Sequence, residues 1–266
     1  SIPVYNFDEE RYITSFTKNG MVKRTLLNEF KVQRYSKPIK MMNLKGNDEV
    51  ISVTDSTLSN VFIATSNGYG LWYDINEVPV VGIKAAGVKA ISLKDDYVVS
   101  GILFDVASEY LTILTDKGTA KRLKLSDFDK GTRANRGLLL MKEIKSNPSK
   151  IIKVYSEKSK TEIIITTTKE TKQLRLTEIS IMDRYSNGSY IVKDRIINTH
   201  LLVNSLTEEQ EDSSEPSVSK STNNLKEMIS KKIKTNNFVI QKILHKSIDA
   251  RNKSNVLYVY DVLIST

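Results

Sequence analysis

The amino-acid sequence predicts an all-β, propeller-like array of repeated four-stranded blades, followed by a C-terminal extension of different character. Three observations carry that prediction. An eight-residue motif is written four times at near-equal spacing, β-rich apolar runs flank each copy, and a basic segment recurs downstream of each copy in register.

The motif reads TKNGMVKR at 17–24, TSNGYGLW at 65–72, TDKGTAKR at 115–122 and TTKETKQL at 167–174, with starts 48, 50 and 52 positions apart. Strand-like runs stand on both sides: Tyr12 to Phe16 and Met21 to Leu27, Val61 to Ala64 and Tyr69 to Tyr73, Tyr110 to Leu114 and Thr119 to Leu123. Two such runs joined by Asn-Gly or Lys-Gly read as hairpins, because glycine supplies the positive φ of a tight turn. Gly20, Gly68 and Gly118 take that place, and Glu170 stands there in the fourth copy, so that turn differs. A further apolar run follows each hairpin, as at 50–53, 98–103 and 151–155. A period of about fifty residues with about four short strands is the mark of a propeller blade, which buries its faces only against neighbours. The blades fall at about 1–55, 56–106, 107–156 and 157–204.

Downstream of the hairpins the aligned segments are RYSKPIKMMNLK from Arg34, IKAAGVKAISLK from Ile83, RANRGLLLMK from Arg133 and RYSNGSYIVK from Arg184. Gly87, Gly137 and Gly188 recur within them, with Pro38 in the first, and each ends on a lysine: Lys45, Lys94, Lys142 or Lys193. Cations repeated around an array form a band, and a band of Lys and Arg suits the phosphates of a nucleic acid backbone. The candidate contacts are Lys23, Arg24, Arg34, Lys37, Lys84, Lys89, Lys121, Arg122, Arg133, Arg136 and Arg184, with glycine letting the backbone approach and donate its own N–H groups. The competing reading is a solvated rim with turn glycines. The second blade departs from the pattern, since Leu71 and Trp72 replace the basic pair and Ile83 replaces the arginine.

The hairpin NGMVKR with its following LNEF, together with GIKAAGVKAISLK at 82–94, KGTRANRGLLLMKE at 130–143 and DRYSNGSYIV at 183–192, resembles the C-terminal domains of the A subunits of bacterial type IIA topoisomerases. The pattern is nearest that of the topoisomerase IV branch and covers roughly residues 1–203. The resemblance implies a β-pinwheel, a propeller-like disc with different strand connections. It implies non-sequence-specific binding and bending of duplex DNA, presented to a strand-passing core that relaxes and decatenates DNA. The partners it implies are duplex DNA, an ATPase subunit, and the catalytic core carried by the same polypeptide, in the bacterial cytoplasm at the nucleoid. The related gyrase carries a glutamine-arginine-arginine-glycine-glycine-lysine-glycine box that no segment here matches. GIKAAGVK at 82–89 and GTRANRGL at 131–138 are degenerate versions, so the equivalent domain of the gyrase A subunit is the alternative, as is a protein-binding propeller module. The family's cleavage tyrosine lies in a domain not found here, and Tyr35 and Tyr185 sit inside blade repeats. The chain alone is therefore expected not to cut DNA, and it needs no cofactor.

Composition agrees. The formal net charge is +9 and cysteine is absent, which removes disulfides and zinc-thiolate sites. His200 and His245 are the only histidines, too few for a histidine-based triad or metal cluster. Asp95-Asp96 reads as a turn, and Gly68-Tyr69-Gly70 lacks the downstream glycine and helix of a phosphate loop. No run approaches the roughly 18 apolar residues of a membrane span. The start at Ser1 suggests a processed or partial chain, with an open disc as one consequence. Residues 205–223 read as an acidic disordered linker, and 224–266 as a basic extension. Within it, the apolar spacing from Leu225 to Leu244 reads as partly helical, and 256–264 as a strand.

Overall fold

The structure is a computed structural model. It describes residues 2, 4, 6–31, 39–142, 146, 148–156 and 160–202, with the backbone of 239–249 and 257–265. The chain divides into a unit at 1–203 and a unit at 204–266.

The first unit is four antiparallel blades. In the first, β1 (Tyr12–Thr17) and β2 (Met21–Leu26) form the hairpin, and β3 (Val50–Thr54) pairs with β1. The second has β4 (Asn60–Thr65) and β5 (Tyr69–Asp74); its next strands are β6 (Val88–Lys89) and β7 (Val98–Phe104), of which β7 pairs with β4. The third has β8 (Tyr110–Thr115), β9 (Thr119–Lys124), β10 (Leu138–Leu139) and β11 (Ile151–Tyr155). The fourth has β12 (Glu162–Thr167), β13 (Thr171–Arg175), β14 (Ser189–Tyr190) and β15 (Ile196–Leu201). The short strands β6, β10 and β14 do not join their own blades. Each completes the preceding one, giving sheets β3-β1-β2-β6, β10-β5-β4-β7, β11-β8-β9-β14 and β13-β12-β15. This exchange is the pinwheel connection, and it leaves the fourth blade with three strands among the described residues, where four were expected.

Glycine makes the exchange possible. Leu138 and Leu139 pair with Gly70 and Tyr69, and Gly137 just before them has φ +82°. A Cβ on Gly137 would stand 2.1 Å from the Gly70 carbonyl oxygen. Gly87 and Gly188 meet the carbonyls of Val22 and Ala120 in the same way, at 2.4 and 2.7 Å. These glycines therefore serve contact with the neighbouring blade, not the approach to a phosphate expected from the sequence.

Between neighbouring blades lie three apolar cores. Phe16 and Val22 pack against Val61, Ile63 and Tyr73; Phe62 and Ala64 against Leu111, Ile113 and Phe128; Leu114 and Ala120 against Ile163, Ile165 and Ile179. The first blade's Ile13, Leu27 and Phe30, equivalent by repeat to Val61, Ile75 and Val78, line an apolar recess with Ile2, Val4 and Phe7. The fourth blade ends differently, in the exposed and mostly polar β13, with charge that discourages edge pairing. No strand pairing joins the fourth blade to the first among the described residues.

The fourth hairpin turn is one residue shorter. Thr166 faces Thr171, whereas Phe16 faces Val22, and the Thr167 hydroxyl accepts from the amides of Lys169 and Glu170 in place of a glycine turn. In the second unit β16 (Val239–Asp249) pairs antiparallel with β17 (Leu257–Ser265), from Val239 opposite Ser265 to Asp249 opposite Leu257. Of the strand expected at 256–264, the described residues 257–264 are extended, but the helical reading fails over 239–249. Isoleucine and valine recur in VIQKILHKSID, and a β-rich partner strand outweighs partial helical spacing. The expected linker at 205–223 and the start of that helix lie outside the described residues.

Gly137→Ala should cost about 3–4 kcal/mol, the range of a strained φ combined with a backbone clash. Thermal unfolding should show this, while Gly46→Ala, whose Cβ meets nothing within 4 Å, should cost about 1 kcal/mol from its positive φ alone.

Candidate nucleic-acid interface

Repeat position decides which cations are available to a ligand. Lys23 and Lys121 sit on the second strand of their hairpins and are 1% and 2% exposed. The Lys23 Nζ donates to the carbonyls of Met41 and Ile83, both at 2.7 Å. The Lys121 Nζ lies 2.6–2.9 Å from the carbonyls of Leu140, Asp183, Arg184 and Ser186. Met41 and Leu140 belong to the segment of the lysine's own repeat; Ile83 and residues 183–186 belong to the segment arriving from the next. Each lysine thus ties two successive docking segments together. Burial pushes Lys121 down to about 8, the Asp183 carboxylate opposing and Arg184 adding to the shift. Burial also lowers Lys23. The sequence suggests both as phosphate contacts, and the structure corrects that expectation: a buried ammonium whose protons are shared among carbonyls cannot reach a phosphate. With the shorter fourth turn, the equivalent residue is Lys172, which bonds the Ile191 carbonyl at 2.9 Å and stays exposed.

The recurring arginines also make bonds inside the array. Arg133 donates from Nε to the Glu77 carbonyl and from NH1 to the Lys89 carbonyl, at 2.7 and 2.6 Å. Arg184 repeats the second bond to the Leu139 carbonyl at 2.9 Å. Lys89 and Leu139 are equivalent positions, so each arginine latches the docking strand before it. Arg122 donates from Nε to the Ile179 carbonyl at 2.8 Å and stacks 5.1 Å from the Tyr110 ring centroid. Arg24, half-buried, stacks 4.0 Å from the ring of Tyr12. At the matching positions of the second blade, the Trp72 indole N–H donates to Asn60 and its ring packs edge-on to Phe104. Trp72 is a packing residue, not placed for stacking on a base.

Lys84, Lys89 and Arg136 remain exposed on the docking segments. Arg34 and Lys37 lie outside the described residues. A further set of cations, not among the candidate contacts, stands at the segment exits. Lys45, Lys94, Lys142 and Lys193 are all exposed, and none has a side-chain hydrogen bond or ion pair with a described residue. Their recurrence is visible in the sequence, at the end of each aligned segment; what the letters do not show is that these lysines escape internal bonding while Lys23 and Lys121 do not. His200 is exposed on β15, and Asp96 accepts from the backbone amides of Asn67 and Tyr97 in a turn. Among the described residues no group of His, Asp and Glu is placed to hold a metal, and no helix is long and apolar enough to cross a membrane.

Comparison with known proteins matches residues 11–54, 59–104 and 109–156 to the family described as the DNA gyrase C-terminal domain, beta-propeller. Residues 209–265 match a domain of unknown function, DUF8436. The A subunit of DNA topoisomerase 4 from Bacillus subtilis (strain 168) is 45% identical over 193 residues, covering 71% of this chain and 24% of that one. The Staphylococcus epidermidis protein of the same name is 33% identical over 198 residues, covering 72% and 24%. The chain thus spans about a quarter of the length of these relatives. A crystal structure of the C-terminal domain of DNA topoisomerase IV superposes with TM-score 0.72 at 39% identity, covering 76% of this chain and 64% of that one. The DNA gyrase A C-terminal domain superposes at 0.65 with 17% identity, covering 75% and 68%, a likeness of fold.

Lys121→Met should destabilise the chain by about 2–4 kcal/mol, because it leaves buried carbonyls without donors. Lys142→Met should change stability by no more than about 0.5 kcal/mol. Denaturant unfolding separates the two. The pH dependence has a defined sign. The folded Lys121 loses its proton at a lower pH than the unfolded lysine at 10.5, so between about 8 and 10.5 the unfolded chain holds more protons and this site favours folding increasingly as pH rises. Lys121→Met should lack that rise in a stability–pH series.

Proposed function

The chain belongs to the DNA gyrase C-terminal domain family, in a form similar to that of the topoisomerase IV A subunits, and from that premise we propose that it binds duplex DNA through its docking segments, largely without sequence preference. The observation that carries this reading is the exposed lysine recurring at the end of each segment, Lys45, Lys94, Lys142 and Lys193, with Lys84, Lys89 and Arg136 exposed beside it on single segments. Those of the second to fourth segments sit on stretches whose short strands pair with the preceding blade, and lysine and arginine meet phosphates through charge and counterion release. The same disposition along a curved array supports bending of the bound segment. On this reading the domain positions DNA for a strand-passing core elsewhere in the longer protein, with no cofactor here and the ATP chemistry in a partner subunit. Protein binding is favoured by the exposure of Tyr185 and Tyr190 on the fourth docking segment.

Titration of a labelled duplex at several salt concentrations tests the proposal. Affinity should fall steeply with salt and vary little with sequence. Lys94→Glu with Lys193→Glu should weaken binding and flatten the salt slope by about two, one for each phosphate no longer neutralised. Absence of binding at low salt would turn the assignment to a protein partner.

A further inference from the structure

The junction between the second and third blades differs from the others in what it exposes. A notch of about 400 Å³ opens there, with Asn67 and Tyr69 from the second hairpin, Arg136 and Lys142 from the third docking segment, and Lys150 ahead of β11 among its walls. Its three cations come from two stretches of chain, Arg136 and Lys142 from the docking segment and Lys150 from the approach to β11. The Arg136 guanidinium carbon lies 4.2 Å from the Tyr69 ring centroid. The Lys150 Nζ donates to the Asn67 side-chain oxygen. Lys142 is fixed through its backbone, whose N–H donates to the Tyr185 carbonyl at 3.0 Å. Among the described residues no carboxylate lines the notch. Two carboxylates outside the lining accept from the backbone of its wall residues. Asp96 accepts from the Asn67 amide at 3.0 Å; Asp116 accepts from the Lys150 amide at 2.8 Å and pairs with Arg195 at 3.2 Å.

Repeat equivalence shows that the combination occurs once among the described residues. Arg136 corresponds to Ala86 and Asn187, and Tyr69 to Met21 and Thr119. Contact with Tyr69 holds the Arg136 guanidinium at the notch wall, and a guanidinium meets a phosphate through paired donors. The same contact covers a face of Tyr69, so the notch is shaped for backbone and not for an unstacked base.

From this convergence we infer that the blade 2–blade 3 notch is a seat for a phosphodiester group of duplex DNA, gripped by Arg136, Lys142 and Lys150. It rests on the DNA-binding reading above and deepens it: the duplex is anchored at one junction, and the remaining exposed cations guide it with weaker contacts. The test compares two charge-matched variants of the whole chain against the same duplex over a salt series. One is Arg136→Ala with Lys142→Ala and Lys150→Ala; the other is Lys84→Ala with Lys94→Ala and Lys193→Ala. The notch variant should lose about ten-fold more affinity than the rim variant at equal salt, with the slope flattened by about two to three. Equal losses in the two variants overturn the seat while leaving DNA binding by the array intact. Failure of the unaltered chain to bind duplex overturns the DNA reading and the seat with it. If the notch variant does not fold, Arg136→Ala alone carries the comparison against Lys94→Ala, with the larger loss expected for Arg136.

Discussion

Everything in the four-bladed unit depends on a strand that each blade borrows. A hairpin and its third strand leave the outer side of β2, β5 or β9 with unpaired backbone groups, and the next repeat fills it with a two-residue strand. The pairing is short, so it must be close, and closeness is what the positive-φ glycine provides: at Gly137 even one added carbon would meet the Gly70 carbonyl oxygen. The borrowed strand brings its loop with it. Carbonyls on that loop are gathered by Lys121 in the third blade and by Lys23 in the first, while Arg133 and Arg184 latch one docking strand to another. Exchange of strands, burial of lysine and capture of carbonyls by arginine are one device repeated.

That device also sorts the charge. The net charge of +9 is not spread evenly between structure and surface. Lys23 and Lys121 on the hairpin strands neutralise backbone dipoles inside the array, and Arg122, Arg133 and Arg184 each give one or two donors to neighbouring carbonyls. Lysines at the segment exits have no such employment and stand in solvent. The blade 2–blade 3 notch adds an arginine held by an aromatic ring, so the surface is graded and not uniform.

Much of the fold is legible in the sequence because the repeats are self-similar. Hairpins centred on Gly20, Gly68 and Gly118, the number of blades and the period follow from letters alone. The roles of the recurring cations do not. A buried Lys23 and an exposed Lys94 look alike in a string, and what separates them is a carbonyl at Ile83, sixty residues downstream of Lys23, arriving only through strand exchange. Recurrence in register marks these positions as important without saying whether for cohesion or for binding. The fourth turn, shorter by one residue, hides Lys172 as the counterpart of Lys23. In the extension, apolar spacing that fits a helix loses to a β-rich partner strand across 239–249.

The central claim is that exposed docking-segment cations, and not the buried ones, meet DNA. Amine acylation of the whole chain with and without duplex, read lysine by lysine by mass spectrometry, tests it most directly. Lys84, Lys94, Lys142 and Lys193 should react in the free chain and be protected by DNA, Lys124 on the third hairpin should react equally in both, and Lys121 should resist in both. Protection spread evenly over all exposed lysines, or none at Lys142 and Lys193, would contradict the account.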